Sequence, residues 1–430
     1  MTRSLKFTLI LMLFCATPAF SQSQEASLTD ALKSGRSAIS VKDYTLVGPG
    51  ADVLRAATAD AQFVLLGEDH GIAQIPQFAG ALCAELAPRG FHNMAIETGP
   101  ILTPEIERFA RDPDGLSKLA DFEKRYPAGI AFYNWREEFS LLQQCEKSGA
   151  PAGMHLWGLD QELMGAPSYV LDLLVRGATT PETRAAAERL LEENRQDYAV
   201  SAKSGDPNEL FLMKAPQAEL DQFLALLKNQ SGPMAHHNIS LMESLLKSRD
   251  IYQKFMSASG YASNRERAEL MKSNFVRDYS EAERRDGVAP RVFFKFGGNH
   301  MYRGLNPLHS SELGNYVAEL AEGRGQKSVH IFILGVKGKE LQFAGIGKPS
   351  GEAPVDLAGD PDSGFKYFKP LFDNMLADSW TLYDLRVLRD HFGKYGKVDP
   401  ELERTIFGYE FVVLIPDPTP SHDLAAPGRN

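Results

Sequence analysis

The amino-acid sequence predicts an α/β protein with a mainly parallel central sheet, flanking helices and a large helical insertion. Three apolar runs typical of buried parallel strands support this class, namely FVLLG (63–67), RVFFKFG (291–297) and SVHIFILG (328–335). A strand, helix and strand pattern begins at the first run, as in the crossover unit of a parallel sheet. Residues 168–285 carry no strand pattern and are rich in Ala, Leu, Glu and Lys. Because 430 residues exceed the usual size of one compact core, we expect a core interrupted by a helical insertion.

The N-terminal residues 1–21 have the pattern of a secretory signal peptide. Arg3 and Lys6 precede an apolar run, and the tripeptide AFS (19–21) gives a small-x-small cleavage site. The run is about half as long as the roughly 20 apolar residues that a membrane-spanning helix needs. We therefore expect removal of this segment, no stable membrane insertion afterwards, and a periplasmic or secreted protein.

The segments on either side of the core carry weaker signals. Residues 22–45 are polar and rich in Ser and Lys, and we expect a loosely attached lead-in. The tail, residues 417–430, is rich in Pro and polar residues and is expected to be disordered. This leaves residues 46–167 and 286–416 for the α/β core, on either side of the insertion.

In the first half of the core, helices alternate with strands. A short helix is expected within 44–61, because apolar residues recur there at helical spacing. After the first strand, Phe78, Leu82 and Leu86 lie at i, i+4 and i+8 and predict a helix that stops before Gly90. The elements expected next are a strand at 92–97, helices at 104–110 and 137–147, and a strand at 155–159.

In the second half, the strands at 291–297 and 328–335 are followed by a last strand at 410–415. Between them, residues 346–370 carry many Gly, Pro and Asp residues and predict a long surface loop. Two cysteines follow the signal segment, Cys83 and Cys145, and the sequence allows either a disulfide or two buried thiols.

Polar residues follow four of the predicted strands. Any one of them alone would more commonly cap a helix or satisfy a local backbone group. The carboxyl ends of parallel strands meet at one edge of a sheet, however, and open α/β sheets bind ligands there. Their coincidence therefore predicts a shared crevice. The residues are Glu68, Asp69, His70, Glu97, Asp160, Asn299 and His300.

Two histidines with nearby carboxylates allow two chemistries. In the first, neutral His70 takes a proton from water, while His300 and an arginine polarise the carbonyl under attack. In the second, both histidines and a carboxylate bind a metal ion such as zinc or manganese, which activates the water. Because the histidines lack HExxH spacing, the metal alternative has the weaker support.

Three further residues are candidates for the crevice. Arg267 lies on a helix face just ahead of the strand that delivers His300; a solvated arginine is the default, but at a crevice it could bind a carboxylate or an oxyanion. Tyr133 and Trp135 could form apolar walls of a pocket, although a place in the core is about as common for such residues.

Composition and missing motifs exclude several classes of function. Removal of residues 1–21 lowers the formal net charge from -10 to -12, which argues against nucleic acid or an anionic membrane as a partner. The sequence has no G-x-S-x-G elbow, no Walker-type loop and no strand followed by G-x-G-x-x-G. Serine-hydrolase and nucleotide chemistry therefore lose their usual support, and a small-molecule substrate is expected.

Five segments carry a resemblance to a known superfamily, in that superfamily's order. They are GEDHG (67–71), GFHNMAIE (90–97), GLDQE (158–162), R-x-x-x-M-x-x-N (267–274) and GGNH (297–300). In these segments the chain resembles the erythromycin esterase-like and ChaN-like proteins and, more distantly, the Tiki/TraB metalloprotease-like group.

The resemblance implies an α/β fold with a helical insertion and, in the esterase branch, metal-independent hydrolysis with a histidine base. By position, His70 would be that base, Glu68 and Glu97 the acidic residues, Arg267 the helix arginine and His300 the second histidine. One feature departs from the esterase pattern: a single residue, Asp69, separates the Glu and His of the first motif, where the esterases have two. The shorter form looks more like the haem-binding ChaN proteins and the metal-dependent Tiki group.

We therefore expect a hydrolase that cleaves an ester, lactone or related bond with a histidine-activated water and needs no cofactor. The alternatives are a haem- or ligand-binding protein without turnover and a metal-dependent hydrolase, for which haem or a divalent metal would be the cofactor. The expected catalytic residues are Glu68, His70, Glu97, Arg267 and His300; the expected substrate-binding residues are Asp69, Tyr133, Trp135, Asp160 and Asn299.

Overall fold

A computed structural model describes residues 27–151, 153–390 and 392–424. The predicted α/β class is confirmed: nine strands of this part of the chain form one sheet, in the order β2-β1-β10-β11-β7-β3-β6-β4-β5, and two more form a hairpin. The strands are β1 (Arg36–Lys42), β2 (Thr45–Val47), β3 (Phe63–Glu68), β4 (Asn93–Ile96), β5 (His155–Gly158), β6 (Val292–Gly297), β7 (Ser328–Gly335), β8 (Lys337–Gln342), β9 (Gly351–Asp356), β10 (Trp380–Asp384) and β11 (Phe411–Ile415).

The central strands run parallel because helical crossovers connect them. β11, β7, β3, β6, β4 and β5 pair in parallel, whereas β10, β1 and β2 extend the sheet with antiparallel pairs. β3 lies between β6 and β7, and the register places Glu68 opposite Gly297 on one side and Ile333 on the other. The carboxyl ends of β3, β6 and β4 therefore lie next to one another at one edge, as the sequence predicts.

Sixteen helices of the described residues cover the sheet and build the insertion. They are α1 (Leu28–Gly35), α2 (Pro49–Thr58), α3 (Gln74–Leu86), α4 (Thr103–Ala110), α5 (Gly115–Arg125), α6 (Arg136–Ser148), α7 (Pro167–Arg176), α8 (Pro181–Ser204), α9 (Phe211–Lys214), α10 (Gln217–Lys228), α11 (Pro233–Met256), α12 (Gly260–Asp286), α13 (Leu313–Gly323), α14 (Lys369–Phe372), α15 (Arg386–Arg389) and α16 (Pro400–Gly408).

The insertion between β5 and β6 consists of helices α7 to α12, without a strand in residues 159–291, which are all described. Helices α7, α8, α10 and α11 share an apolar cluster of their own. α12 instead packs on the sheet, where Phe275 contacts Phe294 of β6 with ring centroids 5.6 Å apart. Because α12 joins both parts, its residue Arg267 is held at a fixed position above the strand ends.

One face of the sheet is covered by α3 and α6, which a disulfide joins. The sulfur atoms of Cys83 in α3 and Cys145 in α6 are bonded, with Cα atoms 5.2 Å apart. Of the two alternatives that the sequence allows, the structure therefore shows the disulfide. The bond holds α6, which carries Glu138, against the helix that follows the His70 loop.

The segments at both ends of the core are more ordered than predicted. Within the expected lead-in, residues 28–42 form α1 and β1, and β1 pairs with β10. In the expected disordered tail, the amide of Ala73 donates to Thr419 O (2.8 Å) and the amide of Ser421 donates to Gly71 O (2.8 Å). The predictions for both segments rested on polar composition, which does not reveal backbone hydrogen bonds to distant strands and loops. The predicted signal segment and residues 425–430 lie outside the described residues.

The predicted surface loop at 346–370 is also partly regular, since it contains β9 and the start of α14. β9 pairs with β8, a polar strand that follows β7 directly. This hairpin shows no apolar alternation, because both of its strands are largely exposed. Within the described residues, no helix is both long and apolar enough to cross a membrane.

Glu162 links helix α11 of the insertion to the loop after β4. Its side chain is fully buried, its Oε1 accepts a hydrogen bond from the amide of Ile101 (2.8 Å), and its own amide donates to Ser248 Oγ of α11 (3.0 Å). Burial, the largest effect, raises the pKa of the carboxyl to about 8. The group is therefore mostly uncharged at neutral pH, which avoids a buried unpaired charge.

We predict that the stability of Glu162→Gln depends less on pH than that of the wild type. As the pH rises from about 4.5 to about 8, the unfolded chain loses the proton of Glu162 while the folded chain keeps it, so the folded state loses up to a few kcal/mol of relative stability. Urea unfolding at pH 5 and pH 8 should show the wild type losing more stability than the variant over this interval. An equal loss in both proteins would contradict the assignment.

Candidate active site

The side chains that follow four strands meet around one carboxylate, that of Glu97. Glu97 follows β4 directly and is 5 % exposed. Its Oε1 accepts from Arg267 Nη2 (2.8 Å), and its Oε2 accepts from the amide of Gly297 (2.5 Å). The Nε2 atoms of His70 and His300 lie 3.5 Å from Oε2 and Oε1 respectively. The structure thus brings both predicted histidines and the predicted arginine to one acidic group.

Positive neighbours keep Glu97 ionised although it is buried. Burial alone would raise the pKa of this carboxyl, but the charge and hydrogen bond of His300, followed by the charges of His70 and Arg267, hold it well below its usual range. Gly297 is required beside it, since a Cβ at this position would lie 3.0 Å from His70 Nε2 and 3.3 Å from Glu97 Oε2. The glycine that ends β6 therefore gives the imidazole room to reach Glu97.

The ring of His70 is fixed on two sides. Its Nδ1 lies 2.8 Å from Glu68 Oε1, and because an ionised carboxylate only accepts, Nδ1 carries the donated proton. The ring stacks on Phe132, with centroids 3.9 Å apart and planes inclined by 11°. The side chain is 28 % exposed, so its remaining nitrogen, Nε2, faces both Glu97 and the adjoining space. Burial would lower the pKa of His70, but the Glu68 hydrogen bond and the charges of Glu97 and Glu68 outweigh burial and raise it.

Lys295 and Glu138 extend this arrangement into the core. Lys295 Nζ donates to Glu68 Oε1 (2.7 Å) and to Glu138 Oε1 (2.8 Å), and all three side chains are about 2 % exposed. Burial raises the pKa of Glu138 to about 7, whereas the charge of Lys295 overcomes burial at Glu68 and lowers the pKa of that carboxyl. Lys295 therefore keeps Glu68 ionised, which in turn allows Glu68 to orient His70.

Sequence reasoning missed both Lys295 and Glu138. A signal for the lysine was present, because a lysine inside the apolar strand VFFKF must be buried and therefore paired. Glu138 had no such signal, since it lies on α6 among other charged residues and reaches the site only through helix packing. Sequence reasoning also missed Glu312, whose carboxylate lies beside His300.

His300 lies in the turn after β6 and is 8 % exposed. Its Nδ1 lies 3.2 Å from Glu312 Oε2, and Glu312 is 1 % exposed. Burial and the charge of Arg267 would lower the pKa of His300, but the carboxylates of Glu97 and Glu312 raise it to about 9. His300 is therefore an imidazolium at neutral pH.

Arg267 reaches the site from α12, as its helix position suggested. Its Nε donates to Asp160 Oδ1 (2.8 Å) and its Nη2 contacts Asp160 Oδ2, which makes a two-pronged ion pair beside the Glu97 contact. The side chain of Arg267 is 27 % exposed. A planar cation held by two carboxylates has a fixed orientation, so its free edge is available to an oxygen of a ligand.

The groups enclose a cavity of about 970 Å³. Of the predicted substrate-binding residues, Asp69 and Asn299 line this cavity, and burial, the largest effect, raises the pKa of Asp69 to about 6. Trp135 lines a neighbouring cavity instead. The lining of the first cavity includes Glu68, His70, Glu97, Arg267, His300, Phe132, Tyr302, Phe332, Phe365 and Tyr367.

Two predicted substrate-binding residues line neither cavity. Tyr133 is 1 % exposed and lies in the core, with its ring 5.8 Å from Lys295 Nζ. The sequence could not show this, because neighbouring residues of an irregular loop point in unrelated directions. Asp160 is 6 % exposed and is occupied by Arg267, so it holds the arginine and does not form a wall.

The residues do not fit the metal alternative. Both histidines face Glu97, but this carboxylate already binds the Arg267 guanidinium and the Gly297 amide. Among the residues that the structure describes, no group of three or more His, Cys, Asp or Glu side chains is arranged to hold a metal ion. The positive charge of the Arg267 guanidinium, at the carboxylate that would have to be a ligand, would repel a metal ion. We therefore assign no catalytic step to a metal.

We predict that Lys295→Met destabilises the protein strongly. The substitution leaves Glu68 and Glu138 buried without their counter-ion, and removal of one partner of a buried ion pair costs about 3–5 kcal/mol. Lys327→Met is the matched control, because Lys327 pairs with Asp60 at the surface and its removal should change stability little. Urea unfolding of both variants measures the difference, and equal small effects would contradict a buried charged network.

Comparison with known structures shows which fold the chain has. No family profile and no curated protein matches the sequence. A mutant of erythromycin esterase EreC in its open conformation is similar in structure, with a TM-score of 0.60, 16 % identity, and coverage of 87 % of this chain and 95 % of that one. A Bacillus cereus protein has a TM-score of 0.57 and 13 % identity, with coverage of 92 % of this chain and 98 % of that one. A succinoglycan biosynthesis protein has a TM-score of 0.54 and 17 % identity, with coverage of 93 % of this chain and 99 % of that one. The likeness confirms the fold that the motif resemblance implied.

Proposed function

We propose that this chain, which shares its fold with an erythromycin esterase, is a hydrolase that cleaves an ester, lactone or related bond with a water activated at His70. The observation that carries the proposal is the hydrogen bond between Glu68 and His70 Nδ1 at the wall of a cavity that two cations also line. A carboxylate, an imidazole and an adjacent site for a reacting oxygen are the parts that base-catalysed hydrolysis needs.

His70 Nε2 is the proposed base. Glu68 holds the proton on Nδ1, so neutral His70 has its lone pair on Nε2, which faces the cavity edge near Glu97. A water there transfers one proton to Nε2 as its oxygen bonds to the carbonyl carbon. Glu68 then stabilises the imidazolium that forms, and Lys295 keeps Glu68 in the ionised state that this role requires.

Arg267 and His300 are the proposed stabilisers of the oxyanion. Both are cationic at neutral pH, and both are held by Glu97 on the same side of the cavity. Their positions are fixed by Asp160 and Glu312, so little reorganisation is needed when charge develops on the carbonyl oxygen. When the tetrahedral intermediate collapses, the bond to the leaving oxygen breaks and the proton on His70 passes to that oxygen. The products are a carboxylic acid and an alcohol.

The proposed reaction uses protein groups alone, and we expect no cofactor. The haem-binding alternative from the sequence would use the same cavity and one of the same histidines. Titration of the protein with haem distinguishes it: a saturable shift of the Soret band that disappears in a His70 or His300 variant would favour ligand binding without turnover.

We also propose that the protein acts in the periplasm or outside the cell. The disulfide between Cys83 and Cys145 supports this location, because such bonds persist in oxidising compartments. Thiol labelling of protein taken directly from cell fractions tests it, since free thiols in a cytoplasmic fraction would contradict the proposal.

We predict that His70→Asn lowers kcat for hydrolysis of short p-nitrophenyl esters by about 10²–10⁴-fold, the usual contribution of a general base. Asn keeps a hydrogen-bonding group near Glu68, so the fold should be retained, and circular dichroism verifies this. His237→Ala is the control, because His237 is exposed on α11, outside the cavity lining. Full activity of the His70 variant would refute the proposed base.

We predict a bell-shaped pH dependence of kcat/KM. His70 acts as the neutral base, so activity rises as the pH passes its pKa, which is raised above the ordinary 6.5. His300 acts as the cation, so activity falls as the pH passes about 9. His300→Gln should lower kcat/KM and remove the alkaline limb while the acid limb stays. An alkaline limb that is unchanged in this variant would exclude His300 as its source.

A further inference from the structure

A second cavity adjoins the catalytic one on the other side of His70. Its volume is about 900 Å³, close to the 970 Å³ of the first, and the two cavities share Asp69, His70 and Phe132. The second cavity is formed by α5, the irregular segment 127–135, the β8–β9 hairpin and the tail at 423–424. The proposed base therefore lies at the junction of two spaces of similar size.

Phe132 is the divider between the cavities. Its ring stacks on His70 and meets Trp135 edge-on, with centroids 5.6 Å apart. The backbone of Phe132 has φ +60°, a conformation that residues with a bulky side chain such as phenylalanine rarely adopt. Strain of this kind occurs mainly where function requires a fixed position. Here it places an aromatic wall beside the reacting nitrogen.

The lining of the second cavity is largely apolar, unlike that of the first. The first cavity carries Asp362, Lys366, Asp399 and Glu401, besides the catalytic groups. The second is lined by apolar side chains from five separate segments, including Ile130, Trp135, Met164, Leu341, Ile346 and Phe343, of which Phe343 is 59 % exposed. An interior of this composition favours an apolar group over a charged one.

Glu123, one of the acidic residues at the wall of the second cavity, does not change this preference. Burial, the largest effect, raises the pKa of Glu123 to about 8, so the group is mostly uncharged at neutral pH. Its Oε2 accepts from Asn134 Nδ2 (3.4 Å), while its buried Oε1 has no hydrogen-bond partner. Lys124 extends into solvent, with its side chain 76 % exposed. The cavity thus combines a mainly apolar surface with the neutral Glu123 and with ionisable side chains at its wall, namely Glu340, Lys348 and Asp423.

We infer that the second cavity binds an apolar arm of the substrate, an alkyl or aryl group, with the scissile bond at His70 and the rest of the substrate in the first cavity. The identity of this arm as part of a substrate rests on the proposed hydrolase function. Binding of an apolar molecule in the cavity does not, because it needs no turnover.

The binding test uses N-phenyl-1-naphthylamine, a neutral dye that fluoresces in apolar surroundings. Wild type should bind it at one saturable site, and Phe343→Asp and Met164→Asp should each weaken binding at least tenfold, because a charge enters the apolar lining. Phe255→Asp is the matched control, since Phe255 is 61 % exposed on α11, outside both cavities, and should bind as the wild type does. Melting temperatures verify that the variants fold.

The kinetic test uses p-nitrophenyl esters with acyl chains of increasing length. We expect kcat/KM to rise about three- to fourfold per added methylene until the cavity is filled, which corresponds to the ~0.8 kcal/mol per buried CH₂ group. In Phe343→Asp the rise should be lost, whereas the Phe255→Asp control should keep it. A parallel series with longer alcohol groups shows which side of the ester enters the cavity.

The outcomes separate the two proposals. If Phe343→Asp and Met164→Asp lose dye binding, and neither the wild type nor any variant hydrolyses the esters, the apolar site in the second cavity is supported and the hydrolase function is refuted. Normal cleavage of the shortest ester with no dependence on chain length in either series, and dye binding unaffected by Phe343→Asp, would refute the cavity and leave the hydrolase. Dye binding that is lost in Phe365→Asp but not in Phe343→Asp would place the apolar site in the first cavity and overturn the inference.

Discussion

Charge neutralisation at the buried ends of β3, β4 and β6 is the constraint on which the rest of the site depends. The carboxylates of Glu68 and Glu97 are nearly inaccessible to water, and burial of an unpaired charge would strongly destabilise the fold. Lys295 neutralises the first and Arg267 the second, and the two histidines lie between them. Because each cation has a further acidic partner, none of these groups can turn away without leaving a buried charge. The charges required for chemistry therefore also fix the positions of the groups.

The fold supplies these partners from distant parts of the chain. Lys295 comes from β6, Glu138 from α6 and Arg267 from α12, which belongs to the insertion. The disulfide holds α6 against α3, and Glu162 holds the insertion against the loop after β4. The tail after β11 adds backbone hydrogen bonds to Gly71 and Ala73, directly after His70. The His70 loop is thus restrained on both sides, although loops at strand ends are often mobile.

Two cavities of similar volume but different lining meet at the ring of His70. One contains the cations suited to an oxyanion, and the other presents mainly apolar side chains. Phe132 separates them and also fixes the plane of the imidazole. The same aromatic ring therefore links the orientation of the imidazole to the shape of both cavities.

The sequence by itself determined the six parallel strands and the polar residues that follow four of them, because apolar runs that close on glycine and charged residues are local patterns. It also indicated Arg267, since helical spacing places it ahead of the strand that carries His300. It did not predict β1, β2 and β10. Only the tertiary structure decided the rest. Tyr133 lies in the core and Glu138 in the site because the packing of α6 and its preceding loop sets their directions. The lead-in and the tail are ordered because of long-range backbone hydrogen bonds, which composition does not reveal. The charge states of His70 and His300 likewise depend on Glu97 and Glu312, which local sequence does not place beside them.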